Sequence, residues 1–483
     1  MEAERFRYAK IVCTIGPASR DPDVFRELAS IGMDAARINF SHSSHEDATR
    51  VISLARDVAR ETGRPIAVIA DLQGPRIRVG ELAQPLVIVA GDRYDFLPES
   101  AAGAAGPSEK SEHALIPTTY AELAADLKPE DRILLADGAL EFRVLDVDRE
   151  SGRVVAEALN GGPLMSSVGI NLPGVEVQAP TLTEKDHEDL GFAIAQRVDY
   201  IALSFVRRPG DVESVRQEAG PGTLVIAKIE KDQALVHLDP ILRESDGVMV
   251  ARGDLGVELP YEDVPIAQKR IIREAQARAR PVITATQMLE SMKAAPRPTR
   301  AEVSDVANAL LDGTDAVMLS AETAIGEYPV EAVKTMARII RRTEREVAPR
   351  VVRESDIGLV PVQHSTAGAI AAATLQAVRR LDSPFIGVFT RSGSTARLVS
   401  AQRPTVPILA VTDQWRTYNQ LALAWGVRPI LFRDEIDYDQ TLQRLKEVAL
   451  ESGFGIRGQQ FVVTAGVPFN VPGTTNMLRI EEL

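Results

Sequence analysis

The sequence predicts an α/β protein: a (β/α)8 TIM barrel with an inserted all-β lid domain, followed by a C-terminal α/β domain. Three observations carry this. Eight short apolar runs alternate with helix-patterned stretches, the mark of a parallel sheet. The alternation breaks once, from Leu72 to about Pro180, where no helical period appears. A new alternation begins after about Ala348. Residues 1–71 and 180–345 are assigned to the barrel, 72–179 to the lid and 346–483 to the C-terminal domain. A chain of 483 residues accommodates three domains of ordinary size.

The barrel runs are Lys10–Ile15, Ala35–Phe40, Ile66–Ala70, Tyr200–Phe205, Thr223–Ile229, Gly247–Val250, Pro281–Ala285 and Ala316–Leu319. Helix-like stretches between them include Asp23–Ile31, His45–Glu61, Glu184–Ala195, Pro209–Glu218 and Ala267–Ala279. Thr299 to Glu302 reads as a capping box opening a helix to Leu311, and Gly313 stops it. In the insertion, Leu86–Val89, Ile133–Leu135, Phe142–Val147 and Val154–Ala158 read as β runs, and the Ala/Gly-rich stretch 101–107 as a flexible loop. The insertion leaves the barrel between a strand and its helix, on the C-terminal face where barrel active sites lie. A lid is the natural reading. The C-terminal domain is expected to hold helix Ser365–Arg380, strands Phe385–Phe389 and Ile408–Val411, helices Thr417–Trp425 and Tyr438–Ser452, and strand Gln460–Thr464.

Composition narrows the function. The net charge of −13 argues against a general nucleic-acid or membrane surface. The only cysteine, Cys13, sits inside an apolar run and reads as a buried, inert thiol. No disulfide can form within the chain, which fits a reducing cytoplasm. The segment from Met1 to Lys10 is charged and lacks the apolar core of a signal peptide. There is no Gly-x-x-x-x-Gly-Lys-Ser/Thr loop, no Gly-x-Gly-x-x-Gly, no His-Glu-x-x-His and no Cys-x-x-Cys.

The chemistry gathers where strands should stop. Arg37 and Asn39, Asp71, Ser204, Lys228 and Glu230, Asp254, Thr286, and Ser320 and Glu322 all fall at strand ends. In a barrel they would converge on one face. Glu230 and Asp254 suit Mg²⁺, which takes one or two carboxylates plus substrate oxygens. Lys228 is a compact point charge suited to a phosphate or an enolate oxygen. Gly253-Asp254-Leu255-Gly256 reads as a helix start whose free N–H groups receive a carboxylate. The Thr286 hydroxyl is placed to bond substrate or relay a proton. Met288 and Met292 read as core.

At this point the chain resembles the pyruvate kinase family. Similar strings run nearly end to end: Lys10–Ser19, Arg37–His42, Ala227–Glu230, Met249–Glu258, Ala285–Met292 and Pro296–Ala309. The resemblance implies Mg²⁺- or Mn²⁺-dependent phosphoryl transfer from phosphoenolpyruvate to ADP, giving pyruvate and ATP, as the final step of glycolysis. It implies that Glu230 and Asp254 hold the metal and that Lys228 stabilises the transferring phosphoryl group and the enolate. N–H groups around Gly253 and Asp254, with Thr286, would receive the substrate carboxylate. Arg37 would bind phosphate, with Arg78, His42 and Pro17 on the nucleotide side. Thr286 and Ser320 would help protonate the enolate through water. The segment Thr390, Arg391, Ser392, Gly393, Ser394 and Thr395 resembles the family's effector loop, a plausible nest for a phosphorylated allosteric effector. A homotetramer is expected from the family.

Four positions depart from the family pattern. The common form holds K⁺ with side chains matching Asn39, Ser41 and Asp71. Here Leu72 replaces a threonine and Arg76 a glutamate of that form. Arg76 brings a fixed positive charge, so activity without K⁺ is expected. Asp47 replaces an adenine-stacking tyrosine, while Pro17 remains. Val168 replaces a lid lysine, while Asp137-Gly138 is retained. Two other classes stay open: a Mg²⁺-dependent enolate lyase or aldolase on a TIM barrel, and a non-catalytic metabolite sensor.

Overall fold

Strand order defines the architecture. The computed structural model describes residues 3, 6–102, 113–178, 180–351, 365–432, 437–467 and 475–483. Eight parallel strands close into a barrel: Lys10–Thr14, Ala35–Asn39, Ala67–Asp71, Tyr200–Leu203, Leu224–Ile229, Gly247–Ala251, Val282–Ala285 and Ala316–Leu319. The last pairs with the first, from Lys10 opposite Ala316 to Cys13 opposite Leu319. Every expected run becomes a strand, with ends moved by a residue or two.

Side-chain phase explains why these runs are apolar throughout. Ile11 and Cys13 pack outward against the helices, while Val12 points inward with Ala35, Ile69, Ala202, Ile226 and Met318. Both faces are covered, so no position is left for water. Successive side chains alternate faces. Arg37 therefore follows Ala35 inward, Asp71 follows Ile69, Ser204 follows Ala202, Lys228 follows Ile226 and Ser320 follows Met318. These polar residues form the layer above the apolar plug, at the strands' C-terminal ends.

The opposite end of the barrel is closed by the C-terminal domain. Ala422 and Leu423 join the inner apolar cluster. The Tyr200 hydroxyl, also inside, donates to the Gln420 carbonyl at 2.7 Å. The sequence suggests one helix over Thr417–Trp425; the chain instead forms a helix at Trp415–Gln420 and a 3-10 turn at Leu421–Leu423. All three residues of the turn are buried, Ala422 and Leu423 in the barrel's base and Leu421 in the C-terminal domain's own core. The N-terminal segment adds a second tie. Tyr8 stacks on Trp425 with ring centroids 4.7 Å apart, and Lys10 Nζ donates to the Val427 carbonyl at 2.8 Å.

The insertion forms a six-stranded sheet and a two-stranded one around Phe96, Phe142, Ile116 and Ile133. The sequence reading missed Arg93–Pro98, Ala114–Thr118, Gly162–Leu164 and Ile170–Asn171. The last two are too short to show a period, and the first two are broken by proline and charge. Of the expected loop 101–107, Ala101 and Ala102 end a helical turn and the rest lies outside the described residues. The C-terminal domain carries four parallel strands, ordered Val427–Leu431, Ile408–Thr412, Ile386–Phe389 and Gln460–Gly466. Thr475–Glu482 pairs antiparallel at the edge. Helix Pro329–Val351 runs unbroken through the boundary expected at residues 345/346. The Thr299/Glu302 capping box forms both its bonds, and Gly313 ends that helix with φ +98°.

Glu344 on the long helix accepts N–H groups of Tyr8 at 3.1 Å and Ala9 at 2.7 Å. Burial pushes its carboxyl up to about 7, against those donors and the Arg7 and Lys10 charges. A folded-state pKa above the unfolded one means that the folded chain holds more protons. The stability from this group is therefore full below its ordinary value of 4.5 and lost as pH rises through about 7. Between those values Glu344 contributes a fall in Tm with rising pH, and Glu344→Gln flattens that slope. A thermal-melt series at stepped pH measures it; identical slopes in both proteins would refute the assignment.

Candidate active site

Six side chains meet at the mouth of the barrel: Thr14, Arg37, Asp71, Ser204, Lys228 and Glu230. Arg37 Nε donates to Asp71 Oδ2 at 2.6 Å, and Arg37 Nη1 to Thr14 Oγ1 at 2.9 Å. Lys228 Nζ donates to Asp71 Oδ1 at 3.2 Å and to Ser204 Oγ at 2.7 Å. It also lies 2.9 Å from Glu230 Oε1. Glu230 Oε2 accepts the N–H of Phe205 at 2.6 Å. Phe205 takes φ +55°, which turns its N–H toward that carboxylate. All of these charged groups are buried.

The electrostatics are those of a dry, charged cluster. Burial alone would raise the Asp71 carboxyl, but Arg37 and Lys228 outweigh it and hold it below the usual carboxylate range. Burial would lower Lys228, but Asp71 and Glu230 outweigh it and hold the ammonium above its usual value. Glu230 goes the other way. Burial raises it, Lys228 lowers it and the Asp254 charge raises it again, leaving it net raised. Asp254 makes no ion pair or side-chain hydrogen bond among the described residues.

The neighbouring turns are set by strain and by backbone bonds. Thr286 and Gln287 both adopt positive φ, +67° and +54°, which is unfavourable for a β-branched residue. Arg252 holds them: its Nη2 donates to the Thr286 carbonyl at 2.7 Å, while its Nη1 pairs with Asp305 at 2.8 Å. The Gly253 N–H donates to Thr286 Oγ1 at 2.8 Å. Helix Arg252–Glu258 does start at the glycine-rich stretch, but the Gly253 N–H expected to be free is thus engaged. Ser320 presents a buried hydroxyl with no hydrogen-bond partner.

A cleft of about 1140 Å³ opens between barrel and lid, lined by Gly253, Asp254 and Gln287 on the barrel side and Asp137 and Val168 on the lid side. Arg76 and Arg78 also line it, and neither has a carboxylate partner among the described residues. Burial lowers the His42 pKa, and the charges of Arg76, Arg78 and Arg37 lower it further, so all three guanidinium groups act on one region. Pro17 is exposed in the turn after the first strand. Asn39 Oδ1 accepts the Ser41 N–H at 3.1 Å. Ser44 caps the helix His45–Thr62 by accepting the Asp47 N–H at 3.1 Å, and the Asp47 carboxylate accepts the Ser44 hydroxyl and pairs with Arg20 at 3.2 Å. Thr14 and Arg252 belong to this framework. Both are polar residues at the ends of apolar runs, the same signal that singles out Arg37 and Lys228 in the sequence.

Thr390 to Thr395 form the turn between strand Ile386–Phe389 and helix Ser394–Ala401. Gly393 needs its φ of +80° there, and its N–H donates to Thr390 Oγ1 at 3.0 Å. No side chain caps the helix that follows.

Asp71→Asn leaves Arg37 and Lys228 buried without their shared anion. The expected loss is roughly 3–5 kcal/mol of stability. Urea unfolding of the variant checks it, and a change under about 1 kcal/mol would show that the cluster carries no such strain.

Comparison with known proteins agrees with this arrangement. A family model described as pyruvate kinase, barrel domain, matches residues 6–333, and one described as pyruvate kinase, alpha/beta domain, matches residues 368–481. Pyruvate kinase 2 of Synechocystis sp. is 45% identical over 481 residues, 98% of this chain and 79% of that protein. The pyruvate kinase of Geobacillus stearothermophilus is 43% identical, over 98% of this chain and 80% of its own length. That of Methylorubrum extorquens is 42% identical, over 99% and 98% respectively. A charged barrel mouth under a lid, a C-terminal α/β domain and full-length relatives converge on one conclusion: the chain belongs to the pyruvate kinase family and is a phosphotransferase.

Proposed function

We propose that the chain transfers a phosphoryl group from phosphoenolpyruvate to ADP, giving pyruvate and ATP, with a divalent cation at Glu230 and Asp254. The observation that carries this is Lys228, held charged in a buried site beside Arg37, Asp71 and Glu230. A permanent ammonium beside a guanidinium suits a reaction that is mostly positioning and charge neutralisation.

The carboxylates fit a hard cation such as Mg²⁺ or Mn²⁺. Glu230 and Asp254 repel each other, and Asp254 has no other partner among the described residues. No group of three His, Cys, Asp or Glu side chains among the described residues could hold a metal. Two carboxylates completed by substrate oxygens are therefore the best available set. When bound, the cation would neutralise charge on the phosphoenolpyruvate oxygens. Arg37 binds the phosphoryl group, and Lys228 neutralises charge as the bond from phosphorus to the enol oxygen breaks. A bond to an ADP oxygen forms as the enolate is released. The substrate carboxylate takes the Gly253 N–H in exchange for Thr286 Oγ1, whose own proton is donated to the Ala285 carbonyl at 2.7 Å until a water takes that carbonyl's place. Thr286 and Ser320, through water, then supply the proton to the enolate carbon. Arg78, which lines the cleft, would face the nucleotide together with His42 and Pro17.

A coupled assay for pyruvate tests this. Pyruvate is expected only with both phosphoenolpyruvate and ADP, and chelation of divalent metal abolishes it. Lys228→Met lowers kcat by at least about 10²-fold in a folded protein. Pyruvate formed without ADP would instead favour a barrel lyase or aldolase, and no turnover at all a metabolite sensor.

The same reading includes activity without K⁺. Both Asp71 oxygens are engaged by Arg37 and Lys228, and Asn39 Oδ1 by Ser41, so these acceptors already have donors. Arg76 is exposed rather than packed on them, and it acts through its field, as its effect on His42 illustrates. It also includes regulation by a phosphorylated metabolite at Thr390–Thr395 and assembly as a homotetramer, which light scattering reads out. Kinetics in Tris salts free of Na⁺ and K⁺ should retain full kcat, whereas Arg76→Glu should make the rate rise with added K⁺. Sugar phosphates should shift the phosphoenolpyruvate saturation curve in the same assay. A large loss of kcat without K⁺, or a curve that no effector moves, would sink the corresponding part.

A further inference from the structure

Glu322 is fully buried and forms no ion pair among the described residues. Its Oε2 accepts the Ser320 N–H at 2.7 Å, and its Oε1 accepts the Leu289 N–H at 3.1 Å. Those donors belong to the turns after two adjacent strands, Ala316–Leu319 and Val282–Ala285. One turn begins with Ser320, and the other carries Thr286. A single carboxylate therefore fastens together the two turns whose hydroxyl groups were assigned to proton delivery.

The turn bearing Glu322 is also fixed on its far side. Thr323 Oγ1 donates to the Thr14 carbonyl at 2.9 Å, and Ala18 N–H to the Ala324 carbonyl at 2.9 Å. A Cβ on Gly16 would lie 2.6 Å from that same carbonyl oxygen, so the two turns approach as closely as a glycine allows. Within this rigid frame the Ser320 hydroxyl is buried and bonds to nothing. A buried hydroxyl without a partner is unfavourable unless another group completes it. Substrate or an ordered water is the partner that would complete it.

We infer that Glu322 is a positioning residue for protonation of the enolate, holding the Thr286 and Ser320 hydroxyls in one frame through two backbone N–H groups. It touches no substrate itself. The inference rests on the proton-relay reading of Thr286 and Ser320 given above. A carboxylate supplies two acceptors, whereas a glutamine amide supplies one acceptor and one donor. Glu322→Gln would set its NH2 against one of the two N–H groups and release one turn. Arg37, Lys228 and Glu230 would keep all their partners.

Protonation can be measured apart from phosphoryl transfer, as exchange of the pyruvate methyl hydrogens with D2O, followed by NMR with Mg²⁺ and ATP present. Glu322→Gln is expected to slow exchange about 10-fold, a part of the 10²–10⁴ that positioned proton transfer provides. The solvent isotope effect on kcat should rise, while KM for phosphoenolpyruvate and Tm stay close to wild type. Exchange at the wild-type rate overturns the inference. So does a parallel fall in exchange, substrate affinity and Tm, which marks a structural role only. If the glutamine variant does not fold, Glu322→Asp, with two acceptors on a shorter arm, is measured in the same way with the same expectation. Thr286→Val and Ser320→Ala separate the two levels. If both exchange normally, the relay reading fails. If both are slow while Glu322→Gln is normal, only the role of Glu322 fails.

Discussion

The site depends on one anion shared by two buried cations. Asp71 is 1% exposed and gives one oxygen to Arg37 and the other to Lys228. Three charges out of water are unfavourable unless each is matched closely. Here the match is good enough to hold the Asp71 carboxyl low and the Lys228 ammonium high in spite of burial. That leaves the cost on Glu230, whose carboxyl is raised by burial and by Asp254. The resting cluster is therefore settled at its cationic side and unsettled at its acidic side. A cation beside Glu230 and an anion beside Arg37 and Lys228 would complete such a field.

Much of this was legible in the sequence because a closed parallel barrel imposes a strict phase. Once Ala35, Ile69, Ala202 and Ile226 point inward, Arg37, Asp71, Ser204 and Lys228 must follow. No tertiary information is needed to place them in one layer, only the alternation of a strand and the closure of the sheet. The long strings that resemble a known family lie on these same strand ends. The sequence does not encode partners as readily as positions. Thr14 looked like an ordinary strand terminus, and its bond to Arg37 exists only because the first two strands are neighbours. Gly253 looked like a free helix start, yet the strained turn at Thr286 brings a hydroxyl to its N–H.

Where sequence reading fell short, tertiary contact overrode local preference. Leu421–Leu423 continue a helical pattern but tighten into a 3-10 turn, with Leu421 buried in the C-terminal domain and Ala422 and Leu423 closing the barrel's base. The short lid strands Gly162–Leu164 and Ile170–Asn171 are held by pairing with distant partners rather than by their own propensity. The base closure also reaches the turn 390–395. The turn 390–395 contacts helix Trp415–Gln420, since Thr417 Oγ1 donates to the Arg391 carbonyl at 2.7 Å. That helix leads directly into the residues that plug the barrel. A ligand ordering the turn would therefore act on the same rigid strands whose other ends hold Arg37 and Lys228.

The departures from the family pattern sit where a change can be satisfied locally. Arg76 is exposed, so its charge needs no buried counterion. Asp47 bonds Ser44 and pairs with Arg20, so a lost aromatic surface leaves no orphaned group. Val168 packs against the lid's own apolar core. None of the three touches the Arg37–Asp71–Lys228–Glu230 cluster. A change inside that cluster has no such local remedy, because removing any one charge strands another in a dry site. Arg76, Asp47 and Val168 thus stand where a change is tolerated, whereas the buried cluster is fixed by the electrostatics of burial.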